Sequence, residues 1–100
     1  MDLEKINWVK GGKYRIEILK LLSEKPMLPS EIAFTISLSR QSVSRILRSM
    51  ENEKLVGKTR SKTRTISYFL LDSGLETLSE LQKINSSSET ANAEKRNINR

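Results

Sequence analysis

Between Pro29 and Met50 two amphipathic segments stand only three residues apart, and that spacing constrains the fold more than any other feature of the chain. In the second segment Val43, Ile46, Leu47 and Met50 recur with the spacing of one helical stripe, while Gln41, Ser44, Arg45 and Arg48 repeat it roughly half a turn away. In the first, Ile32, Ala33 and Ile36 make a narrower apolar face behind Pro29, which suits a helix start, and Ser30, read as its cap. Only Ser37-Leu38-Ser39 joins the two, so the helices must cross sharply over a shared core. Leu38 is the apolar plug of that turn and Ala33 the small residue at the crossing. Phe34 points away from Ile32 in helical projection and is expected half-buried against a neighbouring element.

Two helices joined by so short a turn form a helix-turn-helix. Ser39 is a good N-cap for the second, because its hydroxyl can accept from a free N–H of the first turn. No acidic residue occurs from Arg40 to Met50, so this helix start is electropositive. Arg can bridge guanine O6 and N7, Gln can bridge adenine N6 and N7, and Ser can serve a base edge or a phosphate. A helix over about 39–52 offering Gln41, Ser44, Arg45 and Arg48 behind the Ser39 cap is therefore suited to a DNA major groove. The plain alternative is an ordinary amphipathic surface helix.

The charge distribution points to the same partner. Arg40, Arg45, Arg48, Lys54, Lys58, Arg60, Lys62 and Arg64 face only Glu51 and Glu53 in their stretch, an excess that equals the +6 formal charge of the whole chain. A local imbalance of this kind implies a polyanion, since neutralising phosphates releases condensed counterions. After the helix the period changes. "LVGKTR" and "RTISYFLL" alternate like strands around the polar tip Ser61-Lys62-Thr63, which predicts a β-hairpin over about 55–71. Lys58, Arg60, Lys62 and Arg64 sit two apart, as do Ile66, Tyr68 and Leu70. This predicts a cationic side for phosphates or a minor groove, with Ser61 and Thr63 at the tip, and an apolar side for the helices. Edge protection by Lys and Arg is the alternative reading.

Two flanking helices complete the unit. Lys13 to Ser23 carries Tyr14, Ile18, Leu21 and Leu22 on one stripe, widened by Ile16 and Leu19, and Lys25-Pro26 ends it. Ser73-Gly74-Leu75-Glu76 has the form of a capping box, and Leu75, Leu78, Leu81 and Ile84 recur along a final helix. That stripe is read as a two-fold dimer interface, with purely intrachain packing as the alternative. Leu3, Ile6 and Val9 suggest one amphipathic turn, with Trp8 as a core anchor. From Asn85 the sequence is polar and reads as a disordered tail, which leaves one domain over 1–84. At 100 residues, 36% hydrophobic and 30% charged, a modest core is expected, with a cytoplasmic location and no membrane contact. There is no cysteine and no histidine, which removes disulfides, thiolate chemistry, imidazole bases and soft-metal sites. No metal, cofactor or catalysis is expected. "GGK" at Gly11 to Lys13 lacks the spacing of a phosphate loop.

The order helix, helix, recognition helix, hairpin, helix resembles the winged helix-turn-helix transcriptional regulators of the MarR and ArsR type. The resemblance covers about residues 8–84. Its most specific stretch is "SEIAFTISLSRQSVSRILRSMENEKLVGKTR", with "YFLLDSG" similar to the strand end and helix start that follow the wing. It implies an α+β fold, mostly α: a three-helix core, a two-stranded β wing and a C-terminal helix. It further implies a homodimeric, sequence-specific regulator of double-stranded DNA. By the same resemblance Arg40, Gln41, Ser42, Ser44, Arg45 and Arg48 take the recognition-helix positions, Lys58, Arg60, Ser61, Lys62, Thr63 and Arg64 form the wing, and no small-molecule effector is specified. Many relatives have Gly where this chain has Ser37 and Lys54, positions that often need a left-handed backbone. A winged-helix module that docks on transcription or replication proteins is the second reading, and it predicts an exposed apolar patch.

Overall fold

The computed structural model describes residues 3–83. Helices α1 (Leu3–Lys10), α2 (Arg15–Glu24), α3 (Pro29–Ile36) and α4 (Arg40–Asn52) precede strands β1 (Val56–Arg60) and β2 (Ile66–Leu70), and a helix over 72–83, α5, follows. The strands pair antiparallel with Val56 opposite Leu70 and Arg60 opposite Ile66. The expected α+β winged arrangement is therefore present. Among the described residues no helix is long and apolar enough to cross a membrane.

The core lies where α2, α3 and α4 meet the base of the sheet. Ile18 and Leu19 of α2, Ile32 of α3, Val43, Leu47 and Met50 of α4, and Leu55 and Val56 at the sheet are all fully buried. Burying each such side chain stabilises the fold by about 1.5–3 kcal/mol. Helix α2 begins at Arg15, two residues later than its apolar pattern suggests. It ends as expected before Pro26, with Lys25 extended. Between α2 and α3, Met27 exchanges two backbone bonds with Tyr68, N–H to carbonyl at 3.0 and 2.8 Å. This bridge ties the helices to β2.

Both helices of the central pair end in the same way. Ser37 has φ 59° and Lys54 φ 62°, and the next residues, Leu38 and Leu55, donate back to the carbonyls of Ala33 and Met50 at 3.0 Å. Each pair turns the chain left-handed and drops a leucine inward, a C-terminal device that usually employs Gly. The expectation of left-handed backbone at these two positions holds without Gly.

Several local readings are corrected. Ser30 does not cap α3, because the cap position is Leu28, with Pro29 as the first helical residue. Glu31 compensates by accepting the Leu28 N–H on its Oε1 at 2.9 Å. Trp8 anchors only the rim of the core: it is half-buried and packs against the core cluster, with the Arg15 guanidinium 3.7 Å from its ring centre. Ile6 and Val9 take the core side of α1. Ser73 does not cap α5 either. The helix starts at residue 72, and the Ser73 hydroxyl instead donates to the Lys54 carbonyl across the fold.

The leucine stripe is corrected most. Leu78 and Leu81 are only 2% and 3% exposed within one chain, so they complete its own core and have no surface to offer a partner. Leu75 is 53% exposed. Ile84 and the polar tail from Asn85 lie outside the described residues.

Gly74 is the one glycine the packing cannot exchange: a Cβ there would stand 2.1 Å from the Leu55 carbonyl oxygen. Gly74→Ala should therefore lower stability by about 1–3 kcal/mol, whereas Ser37→Gly, which relieves a positive φ, should raise it by up to about 1 kcal/mol. Urea denaturation of the two variants reads both signs.

Candidate nucleic-acid interface

The first turn of α4 is built by its cap. Ser39 sits in extended backbone, its Oγ accepts the Ser42 N–H at 3.1 Å, and its hydroxyl donates to Ser42 Oγ at 2.9 Å. Ser39 and Ser42 therefore hold the helix start, and Ser42 is half-buried in doing so. With Val43, Leu47 and Met50 anchored in the core, the opposite face has to point outward. There Arg40, Gln41, Ser44, Arg45 and Arg48 line one shallow depression of about 550 Å³. Four of the five are exposed and Ser44 is half-buried. The absence of acid in the first turn leaves the helix dipole unopposed at that end.

The wing differs from the expected two-sided ribbon. Lys58 stands opposite Tyr68 and Arg60 opposite Ile66, and directly opposed residues share a face. The cationic and apolar residues thus line the same face, apolar toward the base and cationic toward the tip. The physical reason is that pairing sets facing across the two strands, whereas counting along each strand separately does not. Alternation also stops after Arg60. The loop 61–65 is closed by Ser61 N–H to the Thr65 carbonyl at 2.9 Å and Arg64 N–H to the Ser61 carbonyl at 3.1 Å, with Arg64 at φ 66°. Lys62 and Arg64 therefore leave from a turn. All the expected wing residues, Lys58, Arg60, Ser61, Lys62, Thr63 and Arg64, are exposed.

Two features escaped the sequence reading. Lys58 Nζ lies 3.6 Å from Glu51 Oε1 at the end of α4, so one wing cation is already paired. Arg64 returns beside Arg40, and with Pro29, Ser30 and Thr65 they border a cleft of about 310 Å³ where the wing tip meets the starts of α3 and α4. Neither follows from local pattern, since both depend on the angle at which the hairpin leaves α4. Phe34 is corrected outright: it is 88% exposed, because among the described residues no element lies over the outer face of α3.

Residues 12–58 match the family described as bacterial regulatory protein, arsR family. The matched segment holds α2, the helix-turn-helix of α3 and α4, and the start of β1. Solved structures extend the likeness over most of this winged helix-turn-helix. A C30AH42A mutant of ZitR from Lactococcus lactis superposes with TM-score 0.76 at 20% identity, over 83% of this chain and 58% of that one. The adhesin competence repressor AdcR from Streptococcus pyogenes gives 0.71 at 20% identity, over 89% and 65%. The transcriptional regulator BldR from Sulfolobus solfataricus gives 0.68 at 19% identity, over 76% and 56%. The winged helix-turn-helix chain thus spans a little over half the length of these neighbours. No curated protein sequence matches it.

The cap makes a testable demand on the winged helix-turn-helix. Ser39→Ala should cost about 1 kcal/mol of stability and Ser39→Asp should restore it, as read by thermal unfolding of the two variants.

Proposed function

We propose that this protein is a sequence-specific regulator of transcription that binds double-stranded DNA, with α4 in the major groove and the wing on the backbone or in the minor groove. The observation that carries the reading is the convergence of Arg40, Gln41, Ser44, Arg45 and Arg48 on one outward surface with no carboxylate in the lining. A solved ZitR mutant in complex with DNA, 20% identical with TM-score 0.70, supports the choice of partner. In this reading Gln41, Ser44, Arg45 and Arg48 meet base edges, and Arg40, Arg60, Lys62 and Arg64 meet phosphates. Ser39 and Ser42 serve by fixing the helix start, and Ser61 and Thr63 shape the wing tip. The reading involves no catalytic step and a cytoplasmic location.

A homodimer belongs to the proposal, because paired recognition helices double the sequence read. Of the expected stripe, Leu75 is the exposed member among the described residues, so the contact passes through Leu75 rather than Leu78 and Leu81. Leu75→Glu should turn a dimer into a monomer in sedimentation at micromolar concentration. A wild-type protein that sediments as a monomer both free and on DNA would retire this part.

A second reading, docking on another protein, is favoured by one observation, the 88% exposure of Phe34. Phe34→Ser separates the two, since it leaves DNA affinity intact if the groove surface is α4 and the wing.

With Arg40, Arg60, Lys62, Arg64 and the α4 start giving about five phosphate contacts per subunit, binding should weaken with salt at a log-log slope of about −4 to −5 per subunit. Arg45→Ala should cost about 1–3 kcal/mol on the preferred site and much less on random duplex, whereas Lys62→Ala should weaken both alike and flatten the slope by about one. Paired titrations on selected and random duplexes at several salt concentrations measure all three.

A further inference from the structure

From Lys58 to Thr65 the chain reads Lys-Thr-Arg-Ser-Lys-Thr-Arg-Thr, a cation and a hydroxyl in strict alternation. All eight residues are exposed, the longest such run among the described residues. In DNA binding the cations meet phosphates, while the hydroxyls do no more than shape the tip. Strand propensity accounts for Thr59, which pairs with Ser67 in the sheet. It does not account for Ser61, Thr63 and Thr65, which lie in or beside the turn. Their oxygens gather at the tip: Ser61 Oγ is 2.8 Å from Thr63 Oγ1 and 2.5 Å from Thr65 Oγ1, and the two threonine oxygens are 3.1 Å apart. These bonds stay within the loop, so the hydroxyls do not help fasten the wing to the helices.

We propose that Thr63 is a phosphorylation site, the acceptor for a protein kinase with an acidic substrate groove, and that its phosphate withdraws the wing from DNA. The second half rests on the DNA-binding reading above. All three hydroxyls are exposed and share the bonds of the loop, and Thr63 is the one with an arginine three residues before it and a cation on either side. Ser61 Oγ accepts the Thr63 N–H at 3.3 Å, and the backbone of Thr65 closes the loop. Thr63 itself stands at the tip between Lys62 and Arg64, with Arg60 three residues before it. That frame of three cations complements an acidic groove.

In the transfer, Thr63 Oγ1 attacks the γ-phosphorus of ATP. The new O–P bond forms as the bond to the β-phosphate oxygen breaks. ADP leaves with that electron pair, and the hydroxyl proton passes to the kinase's base. The product carries about −1.5 to −2 at neutral pH. Lys62, Arg64 and Arg60 are then neutralised from within the loop by charge-assisted bonds, and they no longer attract the phosphates of a duplex.

The test uses the full chain, the catalytic subunit of cAMP-dependent protein kinase as an arginine-directed probe, and ATP with magnesium. Mass mapping should find one phosphate, on Thr63, which Thr63→Val does not take. A chain made by ligation with phosphothreonine at position 63 should bind duplex at least tenfold more weakly at 0.15 M salt, with the salt slope reduced by about two. Transfer to other residues, or none to Thr63, overturns the site. Undiminished affinity of the phosphothreonine chain overturns the switch. If the unmodified protein fails to bind any duplex, the DNA reading falls, and the mapping still decides the site.

Discussion

Burial of one face of α4 is the interaction on which the rest depends. Val43, Leu47 and Met50 are fully buried in the core cluster they share with residues of α2, α3 and the sheet base, and together they stabilise the fold by several kcal/mol. A helix anchored along one stripe has no rotational freedom. The residues half a turn away, Gln41, Ser44, Arg45 and Arg48, are therefore held outward in fixed register. Packing energy and the presentation of polar groups are thus one constraint seen from two sides, and a rotation of α4 that exposed Arg45 differently would cost core contacts.

The joints around α4 make that anchoring specific. Before it, Ser37 in left-handed backbone and the Ser39 cap set where the helix begins. After it, Lys54 in the same conformation sets where the wing departs. Gly74 lets α5 approach the Leu55 carbonyl, and the Ser73 hydroxyl joins α5 to the Lys54 carbonyl. The Lys58–Glu51 pair, exposed and 3.6 Å apart, adds little energy. Its consequence is electrostatic, because one cation near the wing base is partly neutralised and the positive field shifts toward Arg60, Lys62 and Arg64.

The features legible in the sequence are those fixed by near neighbours. The stripe Val43, Ile46, Leu47, Met50 states its own helix, Ser39 states its cap, and "SLS" leaves room for nothing but a tight turn. Left-handed backbone at Ser37 and Lys54 followed from the resemblance to regulators with Gly there. What stayed hidden depends on contacts between distant segments. The facing of Lys58 and Arg60 is set by their partners Tyr68 and Ile66, and the bridge of Met27 to Tyr68 joins residues 41 positions apart. Ser73 matches a capping box locally, yet the Lys54 carbonyl nearby captures its hydroxyl. Leu78 and Leu81 read as a dimer stripe because apolar spacing makes a face without saying whether its own core or a second subunit covers it. Phe34 was expected under cover because a large aromatic side chain usually is. No local pattern shows that α3 lies at the edge of the domain.

The central claim is that α4 and the wing form one DNA-facing surface while the remainder of the domain stays clear of the duplex. Amide chemical shifts of ¹⁵N-labelled protein, followed as a selected duplex is added, test it most directly. The account predicts that the largest changes fall on Arg40, Gln41, Ser44, Arg45, Arg48 and residues 60–64, with little change on α1 or on Leu75. Changes centred on Phe34 and the outer face of α3, with α4 unmoved, would contradict it.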